Sequence, residues 1–387
     1  MKENTLSDFS ARTFQGFEHL TEKELQAIGA KNITVRKRTV DFQGTTETMY
    51  KANLHLRTAT KIVKKVYFFK ALNENHLQKN LLKVNWSDYL TPKDRYSLSM
   101  NINSKFFKNL AVVNQAVRNS IDEHFKQKQK EFTPAFTTEK PDISFQIHGY
   151  NDFFTIYIDS TGDFLFNRNY KAVRTEEDLN EVMAAGMIML SGWKANTTFI
   201  DPMCGTGTIA FEAALMANNI APGIYREFYG FMKWKDFDKN LWEKVVSEAK
   251  QQTKPSKVKI YAFDIEPSLI SIAKKNLLHA NLHNKIQFEV NDVFSFKPPA
   301  EKSTLVFEPP CTERIGKLDI LVYYEKLGNR LKESLSSCTL GILCTNKDAL
   351  AKINLNPRLK VNLLLGKTEC FFYKFEIFEK KNREDDF

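Results

Sequence analysis

The residues best placed to do chemistry lie in Thr197-Thr198-Phe199-Ile200-Asp201-Pro202-Met203-Cys204-Gly205-Thr206-Gly207-Thr208. A short apolar run ends in an aspartate and passes through two glycines into Ile209-Ala210-Phe211-Glu212-Ala213-Ala214-Leu215-Met216, which has helix formers and an apolar stripe. Strand, glycine loop and helix together let backbone N–H groups approach a ligand at a helix N-terminus. No lysine follows to hold a β/γ-phosphate, so the loop is not a nucleoside-triphosphate cradle. Asp201 opens it, and a carboxylate there repels a pyrophosphate but suits a cationic amino-acid group.

Two further acidic strand ends extend the pattern. Asp264 closes an apolar run and can accept hydrogen bonds from ribose hydroxyls, with Ile265 beside it as an apolar surface for an adenine ring. Asn291-Asp292 closes the next run, where Asp292 can accept from an adenine exocyclic amine. Asp264 and Asp292 could instead only cap the helices that follow them. With the loop they point to S-adenosylmethionine rather than NAD. A fourth strand end, Glu308-Pro309-Pro310-Cys311, has the form of an amine-acceptor motif. A side-chain oxygen and a proline carbonyl free of ladder pairing accept the two hydrogens of an exocyclic amine, leaving its lone pair facing the methyl donor.

The elements that must hold these residues follow from the periodicity. Beyond about residue 170 helices and short apolar runs alternate, over 179–190, 209–218, 239–252, 259–263, 268–280, 286–290 and 304–307, with an aromatic insertion at 228–237. Such alternation implies a parallel, doubly wound sheet with its ligand crevice at the carboxyl ends of the strands. Residues 1–45 read as a small α+β unit: a strand over 9–14, a helix over 18–28 and a basic strand or hairpin over 32–42. The spacing of Leu56, Ala59, Ile62, Val63 and Val66 predicts a helix over 49–67. Arg57, Lys61, Lys64 and Lys65 then fall on its other side, a stripe suited to RNA phosphates, although a solvated face has the same pattern. Strands are expected over 97–102, 142–148 and 153–159, a helix over 112–125 and a surface loop over 126–140.

Composition bounds the class. The chain has 387 residues, 42% hydrophobic and 26% charged, as a soluble multidomain protein does. Its net charge is +10, with 24 basic against 18 acidic residues in positions 1–165, which suits a polyanionic partner. No apolar run approaches the roughly 18 residues of a membrane span, and the N-terminus has no signal-peptide core. The five cysteines (Cys204, Cys311, Cys338, Cys344, Cys370) form no CxxC pair, so reduced thiols and no metal site are expected. A cytoplasmic monomer or weak dimer fits these features.

Several segments together carry a resemblance. They are Thr13-Phe14-Gln15-Gly16-Phe17-Glu18 with Lys23-Glu24-Leu25, Tyr50 to Ala59, Leu179-Asn180-Glu181 with Ala184-Ala185-Gly186, Ser191-Gly192-Trp193, Asp201 to Thr208, and Leu365-Gly366-Lys367 with Glu369-Cys370. Nearly the whole chain resembles the THUMP-containing class I methyltransferases that make N2-methylguanine in large-subunit ribosomal RNA. The resemblance implies an α/β protein with three parts. A ferredoxin-like segment (1–45) and a THUMP RNA-binding domain (46–165) precede a Rossmann-like S-adenosylmethionine-dependent methyltransferase domain (166–387).

It also implies cofactor contacts at Asn180 and Glu181, an RNA contact at Arg168, acceptor chemistry at Glu308, Pro309, Pro310 and Cys311, and 23S ribosomal RNA as partner. This chain departs from the family in two places. Asn-Pro-Pro-Tyr followed by Gly-Glu-Arg is here Glu308-Pro309-Pro310-Cys311-Thr312-Glu313-Arg314, and His-Lys-Arg-Gly-Tyr is Phe166-Asn167-Arg168-Asn169-Tyr170. Cysteine cannot stack a base, which leaves Tyr323, Tyr324 or Phe294 to do so. Two alternatives stay open: an RNA-binding ribosome-assembly protein that keeps the fold without catalysis, and an N6-adenine methyltransferase.

Overall fold

The computed structural model describes residues 5–128, 132–298, 302–311 and 319–378. The first half runs through β1 (Ser7–Thr13), α1 (Glu18–Ala27), the hairpin β2 (Lys31–Arg36) and β3 (Thr39–Gly44), α2 (Thr46–His55) and β4 (Ala59–Lys70). It continues with α3 (Glu74–Leu81), β5 (Arg95–Asn103), α4 (Leu110–Gln127), the two-residue β6 (Ala135–Phe136), and the hairpin β7 (Ile143–Tyr150) and β8 (Phe153–Asp159). All eight strands form one sheet in the order β2-β3-β1-β4-β8-β7-β5-β6. The long strand β4 joins its two parts, pairing antiparallel with β1 on one side and β8 on the other.

The helix expected over 49–67 is two elements. A Thr45 capping box starts α2, which ends at Leu56, and from Ala59 the chain is a strand. Ile62, Val63 and Val66-Tyr67-Phe68-Phe69 are β-branched or aromatic, and pairing on both edges outweighs a helical spacing that fits either structure. The strand period of two also breaks up the basic stripe. Lys61 and Lys65 point to one side of the sheet and Lys64 to the other, where it sits over the Trp234 ring. The loop expected over 126–140 contains β6, which pairs parallel with β5.

The second half contains α5 (Glu181–Ser191), β9 (Thr198–Asp201), α6 (Thr208–Ala217), α7 (Lys239–Gln251), β10 (Ile260–Asp264), α8 (Pro267–His279) and β11 (Gln287–Val290). Then come β12 (Ser303–Phe307), α9 (Ile320–Ser334), β13 (Cys338–Cys344), α10 (Lys347–Lys352), β14 (Leu359–Leu365) and β15 (Thr368–Ile377). The sheet order is β11-β10-β9-β12-β13-β15-β14. The five strands from β11 to β13 are parallel, and β15 runs antiparallel between β13 and β14. The parallel core is the one the alternation predicts, with an antiparallel edge added. The winding reverses between β9 and β12, so the crevice opens there, above Asp201 and Glu308.

The two halves are packed into each other. Phe17, fully buried, fills a notch at Gly186 on α5; a Cβ on Gly186 would lie 2.2 Å from the Phe17 ring. Gln15 forms a bridge with Leu364 of β14. The aromatic insertion serves the first half's core: Tyr229, Phe231, Phe237 and Trp242 cluster on or near Tyr50 of α2. Arg226 donates to the carbonyls of Phe164 (2.7 Å), Asn167 (2.8 Å) and Asp163 (3.0 Å), pinning the segment that links the halves.

Candidate active site

The glycine loop leaves β9 at Asp201 and enters α6 at Thr208, with Gly205 and Gly207 both in the left-handed region (φ +54° and +92°). The two glycines have different tasks. A Cβ at Gly205 would meet nothing within 4 Å, because the backbone there faces open space; one at Gly207 would lie 2.7 Å from the Phe288 ring. Gly205 therefore lets a ligand approach, and Gly207 lets the loop sit down on β11.

The loop borders a cleft of about 660 Å³ at the carboxyl ends of the strands. Pro202, Met203, Cys204, Gly205, Thr206 and Thr208 line it from the loop, and Asp264, Ile265, Asn291 and Asp292 from the next two strand ends. Glu308 and Pro310 line it from β12. Gly207 lies behind the lining, and Asp201 lies beneath it, fully buried.

Asp201 has no hydrogen-bond partner of normal geometry on either carboxylate oxygen. Burial raises its pKa well above the usual carboxylate range; the Met203 amide opposes this, and the charges of Asp264 and Glu308 add to it. Such an orphaned acid is costly unless a cation or donor arrives. Asp264 is held in place, its Oδ2 accepting from Gly205 N (2.8 Å) and its Oδ1 from Glu266 N (3.0 Å). Each oxygen keeps a second lone pair for a diol. Ile265 beside it is 68% exposed, an apolar side chain held out over the cleft. Asp292 Oδ1 accepts from Phe294 N, and Asn291 Oδ1 from Asp292 N. An ammonium partner at Asp201, diol acceptors at Asp264 and an apolar ring surface at Ile265 fit S-adenosylmethionine.

The Asp201 geometry gives a proton-linkage prediction. A cationic group arriving there favours the ionised carboxylate, so binding releases a proton wherever the free carboxyl is still protonated. Affinity should therefore rise with pH across that range. Titrating S-adenosylhomocysteine, which carries the ammonium, in buffers of different ionisation enthalpy should show proton release in the wild type and none in Asp201→Asn. Equal proton uptake or release in the two proteins would sink the assignment.

Some residues expected at the site serve it from outside. Asn180 caps α5, accepting from Val182 N and Met183 N, and Glu181 is buried against Arg174. Their neighbours Asp178 and Leu179 line the cleft instead. Asp178 and Lys171 carry no sequence signal of their own. Lys171 is buried and donates to Asp178 (2.9 Å), Thr206 (2.9 Å) and Thr208, and Thr206 donates to Asp178. Burial alone would raise the Asp178 pKa, but Lys171 and the Thr206 hydroxyl outweigh it and lower it. This network braces the glycine loop from behind.

At the acceptor end, Cys311 is buried and does not line the cleft; its thiol donates to the Pro309 carbonyl (3.1 Å) and contacts the Tyr324 hydroxyl (3.4 Å). Pro309 is buried beside it, with one of its carbonyl lone pairs occupied. Tyr324 is fully buried, whereas Tyr323 and Phe294 both line the cleft, edge to face at 5.5 Å. Those two rings are the ones within reach of a base at Glu308. Thr312, Glu313 and Arg314 lie outside the described residues.

The basic residues expected to face RNA are mostly used internally. Arg168 is 1% exposed and pairs with the fully buried Glu212, donating also to the carbonyls of Arg57 (2.8 Å) and Leu165 (3.0 Å). Arg57 donates to the carbonyl of Ile220 (2.7 Å), across the junction of the two halves. Lys61 is held by Asp159 and the Gly162 carbonyl. Of the four expected on one stripe, Lys65 is exposed, paired with Asp8 at 3.2 Å. Each of the internal cations meets a carbonyl or carboxylate supplied by a distant segment.

Comparison with known proteins follows this geometry. The family described as the RMKL-like methyltransferase domain matches residues 168–373, the RlmL ferredoxin-like domain residues 8–63, and the THUMP domain residues 71–159. A ribosomal RNA large subunit methyltransferase K/L of Shewanella frigidimarina is 30% identical over 386 residues, 98% of this chain and 54% of that protein. The chain thus spans about half the length of the curated relatives it matches. Among solved structures, a putative methyltransferase, SMU.472, crystallised with SAH, is 27% identical with a TM-score of 0.87, covering 98% of this chain and all of that one. A Listeria monocytogenes structure described as a predicted N6-adenine-specific DNA methylase is 25% identical with a TM-score of 0.85, covering 96% and 97%. More than half of the chain lies within the methyltransferase match, on a fold whose solved relative holds SAH, so this chain belongs to the RMKL-like family of S-adenosylmethionine-dependent methyltransferases.

Proposed function

We propose that this chain methylates the exocyclic N2 amine of a guanine in 23S ribosomal RNA in the cytoplasm. Bound S-adenosylmethionine supplies an activated methyl group. The chain's part is then to bind, orient and deprotonate, because positioning and electrostatics supply most of the acceleration such a reaction needs.

The observation that carries the guanine reading is the carboxylate of Glu308 on the cleft wall, close enough to Asp201 to raise its pKa. A carboxylate only accepts hydrogen bonds. Guanine presents N1–H and N2–H side by side, two donors matched to two carboxylate oxygens. Adenine presents an acceptor, N1, beside its amine, which a carboxylate opposes. Glu308 would hold the base by that edge and take the proton that N2 loses. Tyr323 and Phe294 would stack it, in place of the aromatic that Cys311 replaces.

Support for an RNA substrate comes from the match to a THUMP domain and from relatives named as ribosomal RNA methyltransferases. The Listeria relative favours a second reading, N6-adenine methylation, against which the Glu308 carboxylate argues. Tritium transfer to unmodified 23S ribosomal RNA followed by nucleoside analysis decides between them, with N2-methylguanosine expected. N6-methyladenosine would replace this reading with the second one. No incorporation, with S-adenosylhomocysteine still bound, would leave an RNA-binding protein without catalysis.

A further inference from the structure

The eight-stranded sheet has one face packed and one face open. On the packed face Ala11, Phe42, Ile62, Phe69, Phe154 and Ile156 are buried in a core shared with Val113, Val117 and Ile121 of α4. The alternate residues point the other way, and they form a shallow concavity of about 660 Å³ that runs from β2 across to β5. It is separate from the methyl-transfer cleft and shares no residue with it.

An open sheet face normally carries small polar residues. This one carries a row of exposed rings. Phe68 on β4, Phe153 on β8 and Tyr150 on β7 are 51%, 46% and 68% exposed. Phe153 stands opposite Tyr150 in the β7–β8 register, and the Phe68 and Phe153 rings lie parallel, 5.7 Å apart and 4° from coplanar orientation. Lys65 and Lys70 lie over these two rings at 5.5 and 5.6 Å. The far side of the concavity is the β2–β3 hairpin, whose tip reads Arg36-Lys37-Arg38, all exposed.

The lining holds four cations, Arg12, Arg36, Lys37 and Lys65, against two carboxylates, Asp8 and Asp41. Both carboxylates are in exposed ion pairs, with Lys65 and Arg36. Such pairs are weak, so their cations remain available to a phosphate.

Rings with free faces beside cations match one ligand chemistry, a polyanion with unstacked aromatic bases. A duplex does not qualify, because its bases are already stacked on each other and show only their edges. We propose that the open face of the eight-stranded sheet binds single-stranded RNA, with Phe68, Tyr150 and Phe153 stacking bases and Lys65 and the Arg36–Arg38 hairpin tip contacting phosphates. This rests on the reading of the substrate as RNA. It places an unpaired segment of that RNA on a surface distinct from the one that holds the target base.

The test uses the full chain, a short fluorescein-labelled oligouridylate and a blunt RNA duplex of equal length. Wild type should bind the oligouridylate in preference to the duplex. The triple variant Phe68→Leu/Tyr150→Leu/Phe153→Leu keeps apolar side chains but no rings, and should lose about tenfold or more in affinity for the oligouridylate. Its S-adenosylhomocysteine affinity and melting midpoint should not change, and Lys37→Glu should weaken both RNAs and flatten the salt dependence. Undiminished oligouridylate binding by a folded triple variant would overturn the proposal and leave the face to a protein partner. If that variant also methylates ribosomal RNA as wild type does, the sheet face is wrong and the RNA reading stands. If wild type neither binds nor methylates RNA while S-adenosylhomocysteine binds, both fall.

Discussion

Glu308→Gln should lower kcat for methyl transfer to RNA by about two to four orders of magnitude, the usual contribution of a positioned acid or base. The side chain keeps its length and one acceptor oxygen, so the cleft retains its shape. It also gains an NH₂ group, which meets guanine's N1–H or N2–H donor to donor. The loss should therefore appear in kcat and in kcat/KM for RNA, with S-adenosylhomocysteine affinity changed little because Asp264 and Ile265 are untouched. Single-turnover tritium transfer at saturating cofactor measures it. A variant within about threefold of wild type would remove Glu308 from the chemistry.

The second large effect is on stability. Arg168→Met should destabilise the protein by about 3–5 kcal/mol, because Glu212 is left as a fully buried charge without its counterion. For halves of this size that lowers the melting midpoint by roughly 10 °C. Adding Glu212→Leu should restore most of the loss, since a packed apolar pair often equals a buried ion pair. Differential scanning calorimetry of the two single variants and the double variant closes the cycle. If Arg168→Met melts like wild type but loses RNA affinity, the arginine faces RNA and the buried pair is not its role.

How far the sequence reveals these features depends on where each residue's partners come from. The glycine loop was legible because its geometry is local: Asp201, two glycines and the start of α6 lie within eight positions, and each does its work through the backbone. Asp264, Asn291 and Asp292 were legible because strand ends converge in a doubly wound sheet. Arg168 was misread for the opposite reason. Its charge resembled a surface feature, and only folding brings Glu212, 44 positions away, against it. Lys171 and Asp178 likewise gain their role from loop hydroxyls that the fold delivers. The strand β4 was concealed by Ala59, Ile62, Val63 and Val66, whose spacing suits a helix. Its neighbours β1 and β8 decide the matter, and no local pattern contains them.

The Phe17 notch at Gly186 and the bridge from Gln15 to Leu364 have a consequence for biosynthesis. A ribosome delivers Phe17 long before Gly186 and delivers Leu364 later still, at roughly 5–20 residues per second. For the intervening tens of seconds the first sheet can assemble, but the apolar patch at Phe14 and Phe17 has nothing to cover it. The earliest residues made are thus among the last to be buried. During that interval the nascent chain offers chaperones a binding site that disappears when β14 arrives.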